Sequence, residues 1–222
     1  MLDSKIKAVL IDLDGTLVHT APEIARAANR MLAKLSLPTF TAEQVTTYIG
    51  DGATTLIKRC LTGQLHGEPA PALLAAAQPL FFEYYGQIVA ESKPYPNVQA
   101  GLQAIKSKGL PIACVTNKPH GFTMPLLEHC QLLQYFDLVV SGDTLAKKKP
   151  DPDQIFYVCE KFGVPVEQVA LIGDSKTDIT AARSAGCVVL AVPYGYNQGQ
   201  RIAASEVDAL IDNIGDVLDL LN

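Results

Sequence analysis

Residues 8–17 read Ala-Val-Leu-Ile-Asp-Leu-Asp-Gly-Thr-Leu, and the architecture of the chain can be worked outward from them. Four apolar residues, two of them β-branched, predict a short buried strand over Ala8–Asp12. The strand runs into Asp12 and Asp14, and residues two apart on an extended chain share a face. Two carboxylates side by side at a buried strand end repel each other and lose hydration. Such a pair calls for a cation, or for a reaction that uses both acids. Gly15 then permits a sharp backbone turn off the strand.

Further along, Ile112–Thr116, Leu138–Ser141, Val169–Gly173, Val188–Val192 and a short Ala209–Ile211 share the buried-strand pattern. From residue 97 they alternate with helical patterns. These run through Val98, Leu102 and Ile105, through Ile155, Phe156, Cys159 and Phe162, and through Ile179, Ala182 and Ala185; they stop at Gly109, Gly163 and Gly186 respectively. Short apolar strands separated by helices predict an α/β fold with a doubly wound, Rossmann-like parallel sheet.

Residues 18–92 break that rhythm, with helical patterns and no strand signal. Thr20, Pro22 and Glu23 read as one capping box, and Thr41-Ala42-Glu43-Gln44 as a second. Ile24, Ala28, Met31, Leu32 and Leu35 form an apolar stripe. Gly50-Asp51-Gly52 opens a third helix running to about Cys60, and Leu73, Ala77, Leu80, Phe81, Tyr84, Tyr85 and Ile88 form a fourth pattern that reads as packed core. The expected organisation is a core domain of residues 1–17 and 93–222, and a helical cap of residues 18–92 over the mouth of the sheet. Pro94 and Pro96 mark the return linker.

The chain has 222 residues, 48% of them hydrophobic, enough for a packed core, and a net charge of −5 that gives no footing for nucleic acid. Cys60, Cys114, Cys130, Cys159 and Cys187 are dispersed, without CxxC or His at metal spacing, and read as reduced thiols of a cytoplasmic protein. No apolar run approaches a membrane span, and the first one, ending in acids, does not suit a secretory signal.

Four strands are each followed by a polar group: Asp12 and Asp14; Thr116-Asn117-Lys118; Lys147-Lys148-Lys149; and Gly173-Asp174-Ser175 with Asp178. Ligands of open α/β sheets bind at the carboxyl ends of the strands, so the groups converge on one pocket. Clustered carboxylates with few His or Cys suit Mg²⁺. Metal and lysine charge suit a phosphate. Asp12 can attack it, Asp14 can move protons, and Thr116 and Lys149 can hold phosphoryl oxygens. Lys147 and Lys148 read as a solvated loop face, and Asp178 also suits the first turn of a helix. His66, His120 and His129 read as surface or structural residues, and His19 lies near the site without an evident role.

These motifs resemble those of the haloacid dehalogenase superfamily along essentially the whole chain. Asp12-Leu13-Asp14-Gly15-Thr16-Leu17, Thr116, Lys149 before Pro150, and Gly173-Asp174-Ser175 with Asp178 match its four motifs. The resemblance implies Mg²⁺ bound by the Asp12 carboxylate, the Asp14 carbonyl and Asp174, with Asp178 and Ser175 in support. Thr20-Ala21-Pro22, Ile49-Gly50-Asp51-Gly52-Ala53, Tyr84-Tyr85-Gly86, Val115-Thr116-Asn117-Lys118-Pro119 and Tyr194-Gly195-Tyr196-Asn197 look like the bacterial phosphoglycolate phosphatases. His19-Thr20 departs from the Asp-Ser usual there, at the lead into the cap.

The expected activity is therefore hydrolysis of a small phosphate monoester through an aspartyl-phosphate, with 2-phosphoglycolate as substrate. Gly50, Asp51 and Gly52 at a helix start, with Lys118 or Arg59, are candidates for its carboxylate; Arg59 also suits a solvated helix face. A carbon–halogen hydrolase would need neither Mg²⁺ nor Asp14. A phosphomutase shares these motifs and would need a bisphosphate activator. A phospho-accepting receiver domain fits poorly, because the acceptor follows the first strand and a large cap intervenes. The expected partner is a small phosphorylated metabolite, not nucleic acid or membrane; monomer and homodimer remain open.

Overall fold

The computed structural model describes residues 6–220. Residues 1–5 and 221–222, at the ends of the expected core domain, lie outside the described residues. Six strands form one parallel sheet: β1 (Ala8–Ile11), β4 (Ile112–Val115), β5 (Leu138–Val140), β6 (Val169–Gly173), β7 (Val188–Ala191) and β8 (Ala209–Leu210), in the order β5-β4-β1-β6-β7-β8. β1 lies between β4 and β6, with Ile11 beside Cys114 and Ile172. The α/β expectation is met. β1, β4, β5, β7 and β8 each end one residue short of the expected limit; the amides of Asp12, Thr116, Val192 and Ile211 still donate to the neighbouring strand as the chain leaves the sheet.

Both faces of the sheet are covered, as its continuous apolar strands require. Ala8, Leu10, Ala113, Val115 and Leu171 pack on the side of α7 (Asp153–Phe162) and α8 (Lys176–Ala185). Val9, Ile11, Cys114 and Ile172 belong to the other cluster, with α5 (Val98–Ser107) and α6 (His120–His129). Phe156, expected to face the core from α7, is 45% exposed. Each fully buried Val, Ile or Leu side chain of the central strands contributes about 1.5–3 kcal/mol.

Between β1 and α5 come α1 (Ala21–Lys34), α2 (Ala42–Thr46), α3 (Ala53–Thr62) and α4 (Pro71–Gly86). Ala28, Met31 and Leu32 of α1, Ile57 of α3 and Phe81 of α4 are buried together, so the insertion's interior is continuous with one face of the sheet. The segment is not strand-free. Val18–His19 (β2) pairs antiparallel with Lys93–Pro94 (β3), a ribbon joining the two chain crossings into and out of the insertion. Two residues carry no readable alternation; the pairing, Val18 with Pro94 and His19 with Lys93, needed a partner more than seventy positions away.

The capping box at Thr41 and Gln44 forms as expected. The one at Thr20 does not. Glu23 turns instead to the Ser92 hydroxyl, which donates at 2.7 Å. The Thr20 and Ala21 amides donate to the hydroxyl of Tyr196 at 2.8 and 2.9 Å.

Candidate active site

The carboxyl ends of β1, β4 and β6, with the loop after β5, bring the expected polar groups together. Lys149 is buried, and its Nζ donates at 2.7 Å to Asp12 Oδ1, to Asp178 Oδ1 and to the Val115 carbonyl. An ammonium has three N–H donors, so all are engaged on protein acceptors. Gln154, on α7, holds the lysine's own backbone: its Oε1 accepts from Lys149 N at 3.2 Å, and its Nε2 donates to the Thr116 and Ser141 carbonyls.

One carboxylate oxygen from each of Asp12, Asp174 and Asp178 lies within 4.8 Å of the others, and all three residues are buried. Asp178 Oδ2 accepts from Ser175 Oγ at 2.6 Å and from two backbone amides, so it closes the first turn of α8 while its Oδ1 faces Lys149. Asp174 Oδ2 accepts from the Tyr196 amide at 2.6 Å and Oδ1 from Thr16 Oγ1 at 3.2 Å. Burial pushes the Asp12 carboxyl up to about 7 against the pull of Lys149, with repulsion from Asp178 adding to it. Burial, then Asp178 and Asp12, raise Asp174 well above the carboxylate range. The single ammonium of Lys149 does not offset the burial and mutual repulsion of these acids, and their donor set is all hard oxygen. Both features fit Mg²⁺. Gly15, at φ 89°, and Gly195 press close to the Asp174 carboxylate, where a Cβ has no room.

Asp14 stands apart from the three acids. Its Oδ1 accepts from Lys118 Nζ at 2.8 Å, and Lys118 also donates to the Tyr85 hydroxyl at 2.7 Å. Lys118 is buried, and its pKa is raised: burial acts to lower it, but Asp14 and Tyr85 outweigh that. A cavity of about 50 Å³ opens here, lined by Asp12, Asp14, Thr116 and Lys118 on the sheet side and by Gly50, Gly52, Ile24, Leu56, Phe81 and Tyr85 on the insertion side. Tyr85 is thus more than packing, and only the tertiary fold shows it. Nothing in the helical stripe distinguishes it from Phe81.

Gly50, Asp51 and Gly52 do meet the sheet edge. Asn117 Nδ2 donates to the Gly50 carbonyl at 3.1 Å and to the Lys149 carbonyl at 2.8 Å. Asp51 is committed to protein partners, accepting from Thr177 Oγ1 at 2.8 Å and from Arg59 at 2.5 Å. Arg59 is neither a cavity charge nor a solvated face: it is 4% exposed and also donates to the Tyr48 and Leu65 carbonyls. Lys148, expected to be solvated, is half-buried with its Nζ against Gly52, and its pKa is lowered by burial. Lys147 is solvated as expected and pairs with Asp151. Ser175 acts on Asp178 and does not line the cavity. From the sequence, Thr16 and Tyr196 stood only within motifs, without a role, and Gln154 and Thr177 had none; for Gln154 the available signal was a Gln on the apolar side of α7.

Comparison with known proteins places this geometry. The model of haloacid dehalogenase-like hydrolases matches residues 9–192, and the chain belongs to that family. Two relatives are phosphoglycolate phosphatases, from Thiobacillus denitrificans (49% identical over 95% of this chain and 93% of the relative) and Nitrosospira multiformis (46%, over 97% and 96%). A solved structure described as a predicted phosphoglycolate phosphatase from Haemophilus somnus superposes with a TM-score of 0.90 at 35% identity, covering 99% of this chain and 100% of that one. The protein is an enzyme of the phosphatase class of this family. Among the described residues no helix is long and apolar enough to cross a membrane.

Proposed function

We propose that the protein hydrolyses a small phosphate monoester bearing a carboxylate, 2-phosphoglycolate, to glycolate and phosphate, with Mg²⁺ held by Asp12, the Asp14 carbonyl, Asp174 and Asp178. The observation that carries this reading is a division among the acids: Asp12 and Asp14 line the cavity, while Asp174 and Asp178 stand behind Asp12. Mg²⁺, when bound, supplies positive charge to the phosphoryl oxygens. Residues 1–17 and 93–222 act as the catalytic core and 18–92 as the cap.

An oxygen of Asp12 attacks phosphorus, the ester P–O bond breaks, and the leaving alkoxide takes a proton from Asp14. Asp14 then removes a proton from water, which attacks the same phosphorus and releases phosphate from Asp12. Thr116 holds a phosphoryl oxygen. Lys149, whose three N–H groups are engaged, contributes its charge and the orientation of Asp12. For the substrate carboxylate, Lys118 has two N–H groups engaged and a third left at the cavity wall. The free amides at the start of α3, beside Gly50 and Gly52, face it. The reading takes the protein to be cytoplasmic and to act on a free metabolite.

The test is a panel of phosphate monoesters with Mg²⁺. The expected result is 2-phosphoglycolate ahead of esters without a carboxylate by at least about tenfold in kcat/KM, ~1.4 kcal/mol in transition-state binding. Another ester ahead by that margin would overturn the substrate assignment. A requirement for a bisphosphate activator would overturn hydrolysis as the main reaction.

A further inference from the structure

The segment Tyr194–Asn197 and the unusual His19 have no part in the chemistry above, yet they meet at one point. Tyr196 is 7% exposed. Its amide donates to Asp174 Oδ2 at 2.6 Å. Its hydroxyl accepts from the amides of Thr20 and Ala21, at 2.8 and 2.9 Å, where α1 enters the cap. A phenolic oxygen has two lone pairs, and these amides take both. The hydroxyl also lies 3.2 Å from Nδ1 of His19, on β2 of the hinge ribbon, and that nitrogen is 3.2 Å from the Tyr95 hydroxyl as well. Tyr194 braces the same loop: its hydroxyl donates to the Thr16 carbonyl at 2.9 Å, and its ring lies 4.5 Å from that of Tyr95, next to β3. One residue therefore ties a candidate metal-ligand carboxylate to the first turn of the cap, in place of the side-chain cap that Thr20 does not supply.

We propose that Tyr196 is a positioning residue that couples seating of the cap to the placement of Asp174. The ring spans the two and holds each in the geometry the other needs. With the cap lifted, the two amides lose their acceptor and the loop loses one of its anchors, so Asp174 is less firmly held. With Asp174 engaged by metal, the loop is fixed and its hydroxyl is presented to the hinge. Coupling of this kind is reciprocal: whatever tightens the metal site favours the seated cap, and the reverse. This inference rests on the phosphatase reading and on the cap assignment, but not on which ester is preferred.

The test is Tyr196→Phe, which keeps the ring and the backbone amide and removes only the hydroxyl. Mg²⁺ binding is measured by calorimetry on metal-free protein, and kcat/KM is measured for 2-phosphoglycolate and for p-nitrophenyl phosphate, a bulkier aryl ester. The expected result is Mg²⁺ binding weakened at least threefold and the ratio of the small ester to the aryl ester reduced at least fivefold. Loss of both esters in equal proportion with unchanged Mg²⁺ affinity would mark a merely structural residue and overturn the proposal. So would an unchanged ratio. His19→Ala, at an exposed position that does not threaten folding, should reduce the ratio about twofold by removing one polar partner of the Tyr196 hydroxyl, and no change would count against the coupling. If the wild-type protein prefers a different small ester, the substrate assignment fails alone, and the same ratio is read with that ester.

Discussion

At the sheet edge, Lys149 is 2% exposed and engages Asp12, Asp178 and a carbonyl, and Asp174 and Asp178 are fixed by backbone amides. Across the cavity the cap presents Ile24, Ile49, Leu56 and Phe81, with one polar reach through Tyr85 and a glycine loop. The first surface is charged, buried and held by hydrogen bonds. The second is mostly apolar and is joined to the first by few polar contacts, such as Tyr85 to Lys118, Gly50 to Asn117 and Asp51 to Thr177. On the reading proposed above, the difference follows from the tasks: dipoles aimed at a developing charge act best when they need not reorganise, whereas a lid that opens for substrate is held by weak, reversible contacts. On that reading chemistry belongs to the rigid side and selection to the movable one.

The sharpest break of that comparison is Asp12→Asn. It should lower kcat by at least about a thousandfold with folding intact, since an amide does not replace the carboxylate nucleophile and Asp14, the other cavity acid, is paired with Lys118. A phosphate-release assay with substantial activity remaining would move the nucleophile elsewhere.

Chelation comes next. EDTA should abolish turnover reversibly, and the metal-free protein should show a distinctive pH dependence of stability. Burial raises the Asp12 and Asp174 carboxyls above their unfolded values, so the folded state binds protons more tightly than the unfolded one. Stability then falls as pH rises from the unfolded carboxylate range through about 7, the folded value of Asp12. Melting curves from pH 5 to 8 should show that decline in EDTA and a smaller one in saturating Mg²⁺. Equal slopes would mean that the acids are not where the metal sits.

Lys118→Met tests a cation at the meeting of the two surfaces. It should lower kcat/KM for the carboxylated ester by roughly 30–100-fold, the cost of an unpaired buried charge at about 2–3 kcal/mol, and do much less to esters without a carboxylate. A uniform loss would assign Lys118 to Asp14 and the chemistry rather than to selection. The smallest expected effect is Thr177→Val, which removes one cap–core hydrogen bond worth about 1 kcal/mol. It should raise KM about fivefold and leave kcat nearly unchanged in steady-state assays; a large drop in kcat would make that contact part of the rigid side.

Most of the core was legible because β1, β4 and β6 announce themselves twice, by an apolar run and by the polar residue that follows it. Asp12, Thr116 and Asp174 stand at such breaks, and Lys149 lies in the loop after β5. What escaped was long-range and polar. The Thr20–Glu23 pattern suited a capping box, but Tyr196, 176 positions away from Thr20, took the amides instead. Lys148 and Arg59 looked like solvated charges because local pattern cannot show that a loop or a distant carboxylate will cover them. The β2–β3 ribbon is two residues on each side, too short to carry a periodicity of its own.

By itself the sequence determined the parallel α/β core, the place of the helical insertion, and the residue types of the site, since hydrophobic periodicity and strand-end chemistry are local properties. Only the tertiary structure decided which acids cluster and which faces the cavity, that Lys149 is fully engaged while Lys118 keeps a donor to spare, and that Tyr196 joins hinge to site. Those outcomes depend on distances between residues far apart in the chain. Burial then turns a few tenths of an ångström in such distances into the difference between a satisfied charge and a reactive one.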